Sequence, residues 1–309
     1  MPSYQIERTI RIDTSESSVL PAVSDFNQWP RWSPWLCMEP DAKLTYQGQP
    51  GEIGHAYQWE GAMVGAGGME IMAVNDGRYE MELTFLKPFK SKANVAIHVT
   101  SAGENITNVS WSMEGKLPFF MFFMLKTMKA MIGADYERGL KMLKEYAETG
   151  SVGSKVEVVG VVETDPFYFA GITASSSLSQ IGKDIDGLMQ ASMKLVEDEG
   201  LSPSGPPGVI YHDMDFVNQK CNYTLMNQVN SVDGMKSGNS GFVPKVRAIK
   251  VVHTGSYAHL GNGWSAAMSY LRYHKLRLNK KQDAFEIYMN DPAETPSGQL
   301  VTEIFVPLK

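Results

Sequence analysis

The chain ends in two apolar runs, FEIYMN at residues 285–290 and LVTEIFVP at residues 300–307. Both are rich in β-branched and aromatic residues, which is typical of β-strands. The segment between them contains proline and glycine, so the pattern predicts two strands joined by a loop. Glu286 lies among apolar and aromatic neighbours, where a buried carboxylate is costly unless it is paired or needed. This residue is therefore the first candidate for a functional site.

The second half of the chain contains a series of predicted elements that occurs twice. The predicted elements are strands at 156–164, 167–173, 209–213, 222–229 and 246–255, and helices at 185–200 and 260–278. A Gly/Ser-rich loop is expected at 233–241, and the dipeptide Ile210-Tyr211 recurs as Ile287-Tyr288 at a spacing of 77 residues. We therefore expect two pseudo-symmetric strand-helix-strand-strand repeats that pack as mates.

The first half predicts a different arrangement. Alternating apolar residues predict strands at 4–12, 57–59, 79–85, 93–99 and 109–113. Ser15 is a candidate cap for a helix through about Phe26, which Pro21 is expected to divide into two short helices. Residues 136–147 carry apolar side chains at helical spacing. An antiparallel sheet curved around a long C-terminal helix encloses an apolar cavity, so the overall class is α+β.

The small and flexible segment TGSVGS, at residues 149–154, separates the two patterns. A length of 309 residues also favours two domains. The predicted organisation is a first domain at 1–148, a linker at 149–154 and a second domain at 155–309.

The first domain resembles the helix-grip superfamily of START domains, birch-pollen-type allergens and polyketide cyclase/dehydrase-like (SRPBCC) proteins. The residues that carry the resemblance are FNQWPRWSPW at 26–35, GHAYQWEG at 54–61, Gly65-Ala66-Gly67 leading into a strand, and IGADYERGLK at 132–141. The superfamily includes transporters, cyclases and chaperone regulators, so the resemblance implies the fold and not the ligand.

The second domain resembles the GyrI-like family, the AraC-type effector-binding domain of multidrug-responsive transcription factors and of stand-alone small-molecule binders. The matching residues are FEIYMNDPAETP at 285–296, the terminal run at 300–307, and Gly255-Ser256-Tyr257. The resemblance implies that Glu286 lies in a pocket and meets cationic aromatic ligands. Because a helix-grip domain precedes it in place of a helix-turn-helix region, the chain is not expected to act as a transcription factor by itself.

Four aromatic residues of the second domain are candidates for a cleft between the repeats: Tyr211, Tyr257, Trp264 and Tyr288. Their flat faces suit planar apolar or cationic ligands, although ordinary core packing is the alternative for each. For Glu286, the alternative is that strand alternation turns its side chain to solvent.

In the first domain, Trp59 and Trp111 are expected to face the cavity or the core. Trp29, Trp32 and Trp35 are interpreted as a structural lid over the helix junction.

These candidates support three hypotheses. The leading one is binding of small hydrophobic or planar molecules, cations among them, by a sensor or sequestering protein. The second is a small-molecule hydrolase with Glu286 as general base and Tyr288 or Tyr257 as hydrogen-bond donor. The third is a ligand-responsive module that interacts with a protein partner.

Composition argues against several other classes. A net charge of −6 disfavours a nucleic-acid partner. The six histidines lack HxxxH or HExxH spacing and the two cysteines lack a CxxC partner, so no metal site is expected. No phosphate- or dinucleotide-binding motif is found, and no cofactor is expected. The cysteine usage and the absence of a signal-peptide pattern favour a cytoplasmic location.

The most apolar stretch is LPFFMFFMLKTMKAMI at residues 117–132. It contains Lys126 and Lys129 and is too short to span a bilayer. We interpret residues 119–131 as a pliable cavity wall, with a membrane-docking stripe as the alternative.

Overall fold

The structure is a computed structural model that describes residues 3–87, 90–116 and 119–309, with the backbone alone at 119–121. The chain divides between Val152 and Gly153 into two compact units. Of the apolar stretch at 117–132, Leu117, Pro118 and the side chains of the next three residues lie outside the described residues.

In the first unit, a seven-stranded antiparallel sheet has the strand order β1-β7-β6-β5-β4-β3-β2. Its strands are β1 (Ser3–Ile12), β2 (Lys43–Gln47), β3 (Ala56–Glu60), β4 (Ala66–Asn75), β5 (Arg78–Lys87), β6 (Ser91–Gly103) and β7 (Ile106–Lys116). The helices are α1 (Glu16–Ser24) and α2 (Leu125–Thr149), with 3-10 turns at Trp29–Arg31, Leu36–Met38 and Phe119–Met124. The sheet packs on the long helix α2, which confirms the predicted helix-grip class.

Two local expectations for the first half were wrong, and one strand was not predicted. Pro21 does not divide α1, because it lies inside one continuous helix that ends at Ser24. The side chain of Ser15 caps no backbone amide and bonds instead to the hydroxyls of Ser17 and Ser18. Strand β2 was not predicted, since it is a sheet edge whose side chains are mostly exposed and show no buried alternation.

The interior of the first unit is filled by aromatic rings. The indole N–H groups of Trp29 and Trp32 donate to the carbonyls of Val23 and Ala22, both at 3.0 Å. Both indoles are fully buried, so these two residues belong to the core rather than to a lid. Their hydrogen bonds satisfy the polar end of each ring, as burial of tryptophan requires.

The second unit contains an eight-stranded antiparallel sheet with the order β12-β9-β11-β10-β14-β15-β13-β8. Its strands are β8 (Ser154–Glu163), β9 (Phe167–Ser177), β10 (Gly208–Asp215), β11 (Lys220–Val229), β12 (Asn239–Val243), β13 (Arg247–Gly255), β14 (Ala284–Tyr288) and β15 (Val301–Pro307). The helices are α3 (Ile181–Asp198) and α4 (Gly261–Tyr273), with 3-10 turns at Tyr257–His259 and Ser297–Gln299.

The strand order confirms the two repeats, β9-α3-β10-β11 and β13-α4-β14-β15. They meet at the centre of the sheet, where β10 pairs antiparallel with β14 and Val209 lies opposite Glu286. Two details differ from expectation. The segment predicted as a loop up to residue 241 enters β12 at Asn239, and α4 ends at Tyr273 because Leu278 already bridges to Leu308 beside the last strand.

Close packing of α2 on the sheet yields a stability prediction. An added Cβ at Gly139 would lie 2.7 Å from Trp111 and 3.0 Å from Pro34, two rigid side chains. Gly139→Ala should therefore destabilise the protein by about 1–3 kcal/mol, despite the higher helix propensity of alanine. Urea unfolding followed by circular dichroism measures the change.

Gly187→Ala in α3 is the matched control. No atom lies within 4 Å of the added Cβ at that position, so the substitution should stabilise by about 0.5–1 kcal/mol. Equal stabilisation by both substitutions would contradict the packing of α2 described above.

Candidate functional site

Glu286 lies in β14, one of the two central strands of the second sheet, and none of its surface is exposed. Its register partners are Val209 of β10 and Ile304 of β15, both fully buried. Because side chains alternate along a strand, Glu286 shares its face of the sheet with Tyr288. The carboxylate is therefore buried in the middle of the second unit and does not point to solvent.

Three neutral groups donate hydrogen bonds to this carboxylate. Oε1 accepts from the hydroxyl of Tyr211 at 2.9 Å and from the hydroxyl of Tyr288 at 2.8 Å. Oε2 accepts from Nε1 of Trp264 at 2.8 Å. The donors lie on β10, β14 and α4, so both repeats contribute to the same carboxylate.

The pKa of Glu286 is the balance of two opposing effects. Burial raises the pKa above its ordinary value because it disfavours the charged form, and the hydrogen bonds from Tyr288, Trp264 and Tyr211 oppose this rise. Among the described residues, no cationic side chain acts on this pKa. The ionised carboxylate is thus a negative charge that is solvated by dipoles and is not neutralised by an ion pair.

A second set of ring contacts surrounds these donors. Tyr211 meets Trp264 edge to face, with ring centroids 5.1 Å apart, and Tyr257 lies 5.2 Å from Tyr288. Tyr211, Trp264 and Tyr257 are half-buried and separate the carboxylate from the surface. Burial raises the pKa of Tyr257 to about 12, so its hydroxyl stays protonated at neutral pH.

The two repeats are related by pseudo-symmetry, but only one of them contributes a carboxylate to the site. The spacing that relates Tyr211 to Tyr288 also relates Val209 to Glu286, and these two residues are direct register partners. The pseudo-twofold axis therefore passes between a valine and a glutamate. One carboxylate lies at the axis where strict symmetry would place two, and the mutual repulsion of two buried carboxylates is avoided.

A cavity of about 340 Å³ opens on the neighbouring strands. Its lining residues are Ala174, Ser175, Lys183, Asp184, Gly187, Leu188 and Tyr223. Tyr223 is the register partner of Tyr211, so the cavity lies next to the donors of Glu286 on the same face of the sheet. Tyr223 was not predicted from the sequence, because its place beside Tyr211 depends on the pairing of β10 with β11.

The structure brings together five of the residues predicted from the sequence: Glu286, Tyr288, Tyr211, Tyr257 and Trp264. Trp59 and Trp111 belong to the first unit and form no part of this cluster. Trp59 is half-buried, and its indole N–H donates to the carbonyl of Val64 at 3.3 Å.

Trp111 is fully buried and stacks on Tyr136 with ring centroids 4.2 Å apart. Its indole N–H has no hydrogen-bond partner among the described residues. A role for Trp59 and Trp111 in ligand binding stays a prediction.

Glu39 shows what a structural buried carboxylate looks like in the same chain. It accepts the backbone N–H groups of Ala62, Met63 and Val64 at 2.6–2.8 Å and thereby closes the loop before β4. Glu286 differs because its donors are the side chains of three large aromatic residues.

This geometry limits the chemistry that Glu286 can perform. A general base needs to reach its proton directly or through one water. None of the carboxylate surface is exposed, so a reacting water can reach it only after the surrounding side chains move.

Sequence profiles of two families match the chain. Residues 3–148 match "Polyketide cyclase / dehydrase and lipid transport", and residues 158–309 match "GyrI-like small molecule binding domain". The chain therefore joins a domain of the polyketide cyclase/dehydrase and lipid transport family to a small-molecule-binding domain of the GyrI-like family. Both predicted resemblances are confirmed.

Several solved structures share parts of this fold. The C-terminal domain of EcmrR is 20% identical, covers 50% of this chain and 98% of its own, and has a TM-score of 0.42. SAV2435, solved with tetraphenylphosphonium, is 16% identical and has a TM-score of 0.38, and the match covers 48% of this chain and 92% of SAV2435. A START superfamily protein from Mycobacterium smegmatis is 15% identical and has a TM-score of 0.36, and the match covers 48% of this chain and 99% of that protein.

No curated protein sequence matches the chain. Within the described part of the chain, none of the helices combines the length and the apolar character that crossing a bilayer requires.

The raised pKa of Glu286 predicts how stability depends on pH. Below the ordinary value of 4.5 the residue is neutral in both the folded and the unfolded chain. As the pH rises above that value, the unfolded chain ionises first, so the free energy of unfolding falls until the folded pKa is passed. The stability of Glu286→Gln relative to wild type should therefore increase with pH across this window, as measured by urea unfolding at a series of pH values.

Glu163→Gln in the same unit is the control of opposite sign. Its hydrogen bond to Lys245 lowers the pKa of Glu163, so wild type should gain stability relative to this variant as the pH rises. A pH-independent difference between Glu286→Gln and wild type would contradict the desolvated carboxylate.

Proposed function

We propose that the second domain binds hydrophobic cations, with the carboxylate of Glu286 as their counter-charge. The observation that carries this proposal is a fully buried carboxylate whose hydrogen bonds come from three neutral donors. A buried charge without an ion pair is expensive to keep, and a ligand of opposite charge recovers part of that cost.

The orientation of the donors favours delocalised cations over compact ones. The hydroxyl hydrogens of Tyr211 and Tyr288 point to Oε1, so their oxygen lone pairs and ring faces are available to other groups. Hydrogen bonding to an anion polarises these phenols and makes their oxygens more negative. Aromatic faces attract cations that are weakly hydrated, which describes a planar or aryl-substituted cation better than an ammonium ion in its water shell.

Entry of a ligand requires the half-buried aromatic residues to move. Tyr211, Tyr257 and Trp264 lie between the carboxylate and the surface, and the 340 Å³ cavity beside Tyr223 provides adjoining space. We infer that the ligand occupies this cavity and displaces the outer rings, while Glu286 stays in place on its strand.

The wider roles are proposed on coarser grounds. We assign ligand binding to residues 155–309, separated by the linker 149–154 from the helix-grip domain at 1–148. For the whole chain we propose a sensor or sequestering role. A protein partner that binds the ligand-bound form is compatible with this role. Free Cys37 and Cys221 lie in different units, which suits the reducing cytoplasm. The acidic net charge supports a role without nucleic acid.

Hydrolysis with Glu286 as general base is the alternative. A raised pKa makes the carboxylate of Glu286 a stronger base than an exposed glutamate. Binding is favoured over hydrolysis, because a counter-charge acts on a cation through its electric field, whereas a general base must reach the proton directly or through one water.

Two isosteric ions of opposite charge test the proposal. Tetraphenylphosphonium, the ligand named for SAV2435, should bind the full-length protein and quench its tryptophan fluorescence. Tetraphenylborate has the same shape and a negative charge, and it should bind at least about tenfold more weakly because of the buried carboxylate. Equal affinity for the two ions would contradict the counter-charge role.

The variant Glu286→Gln should lose about tenfold or more in affinity for tetraphenylphosphonium and little for neutral triphenylphosphine oxide. Binding of the cation to wild type should also weaken as the pH falls through the raised pKa of Glu286, since protonation removes the charge. Glu163→Gln is the matched control and should bind like wild type. If turnover of an electrophilic substrate is found and is abolished in Glu286→Gln, the hydrolase alternative replaces this proposal.

A further inference from the structure

One end of the first unit combines exposed apolar side chains with lysines. Strand β7 ends there at Lys116, which pairs with Ser3 at the start of β1. The β5–β6 connection lies at the same end, because Phe85 pairs with Ser91 and Ala93 pairs with Gly115. Helix α2 starts shortly after β7 and runs back along the sheet. We call this region the basic-apolar end.

Large apolar side chains project into solvent at this end. Phe122 is 60% exposed and Phe123 is 71% exposed, at the last turn before α2. Met124 and Met131 on the same stretch are 44% and 45% exposed, and Leu86 in β5 is 51% exposed. Phe122, Phe123 and Met124 are three successive exposed apolar residues, and clusters of exposed apolar side chains often mark binding surfaces.

Two segments at this end contain lysines and no acidic residue, although Glu60, Glu82 and Glu114 lie on the strands beside them. Neither residues 83–103 nor residues 115–134 contain an aspartate or glutamate, whereas the chain as a whole has a net charge of −6. The two segments carry six lysines: Lys87, Lys90, Lys92, Lys116, Lys126 and Lys129. Lys87 and Lys92 bond to Glu60 and Glu82 on the neighbouring strands.

A groove of about 570 Å³ opens at the same end. Lys92 lines it from β6, Lys116 and one acidic residue, Glu114, line it from β7, and Tyr4 lines it from β1. Lysine ammonium groups along such an opening suit the phosphate groups of a lipid surface.

We propose that the basic-apolar end docks on anionic lipid bilayers. Phe122, Phe123 and Met124 insert among the headgroups, in the way that aromatic and aliphatic side chains anchor interfacial helices. The lysines of the two acid-free segments other than the ion-paired Lys87 and Lys92 add electrostatic attraction to anionic lipid, at about 1 kcal/mol, or about fivefold in affinity, per residue near the surface. Basic residues flank the exposed apolar side chains of the basic-apolar end. This arrangement is complementary to a flat anionic surface, and we therefore infer that the partner is a bilayer.

Flotation of the full-length protein with vesicles tests the proposal. We expect enrichment on vesicles of phosphatidylcholine mixed with phosphatidylglycerol, and much weaker enrichment on phosphatidylcholine alone. The bound fraction should fall with added salt, because salt screens the lysines. No enrichment on the anionic vesicles would overturn the proposal.

Paired variants separate insertion from general stickiness. Phe122→Ser with Phe123→Ser should reduce binding about tenfold or more. Tyr168→Ser with Phe242→Ser removes an exposed aromatic pair from the second unit and should leave binding unchanged. Phe123→Ser alone serves if the double variant does not fold. An equal loss in both pairs would overturn the assignment of this surface.

The electrostatic contribution has its own pair of variants. Lys126→Gln with Lys129→Gln should reduce binding to anionic vesicles about tenfold or more. Lys280→Gln with Lys281→Gln, at exposed positions of the second unit, should change it little. The oligomeric mass without lipid is the last measurement. If the phenylalanine variants convert a dimer to a monomer, the surface is an interface between copies of the chain and the bilayer proposal is wrong.

Discussion

The buried carboxylate of Glu286 is the constraint around which the second domain is organised. The charged form of this carboxylate is stabilised by two phenol donors and one indole donor together, supplied by both repeats. Loss of any donor leaves the charge less well solvated in a medium of low dielectric. The packing of the two repeats and the electrostatic character of the site are therefore coupled, because the same three side chains determine both.

The duplicated architecture explains why one charge suffices. The repeats place equivalent residues on either side of the central strand pair, and Val209 occupies the position that corresponds to Glu286. A single carboxylate at the pseudo-symmetry axis is reached from both halves by aromatic donors. Among the described residues of the first domain, the buried carboxylate of Glu39 is held by backbone N–H groups, and the interior is packed with rings such as Trp29, Trp32 and Trp111.

Much of this was accessible from the sequence, for physical reasons. Alternation with a period of two placed Glu286 and Tyr288 on one face, and the recurrence of Ile-Tyr exposed the repeat. What the sequence could not provide was long-range pairing: Tyr223 joins the site only because β11 pairs with β10. Strand β2 escaped prediction because exposed edge strands carry no buried alternation. The hydrogen-bond partner of each carboxylate oxygen likewise depends on rotamers that residue spacing does not encode.

The most direct test of the account is the pKa of Glu286 itself, measured by carbon-13 NMR titration of its side-chain carboxyl and assigned by comparison with Glu286→Gln. We expect a value above the ordinary 4.5 in the free protein, because burial without an ion pair disfavours the charge. We also expect this value to fall when tetraphenylphosphonium is bound, because a cation stabilises the carboxylate. A pKa at or below the ordinary value, or one that the bound cation does not change, would contradict the central claim.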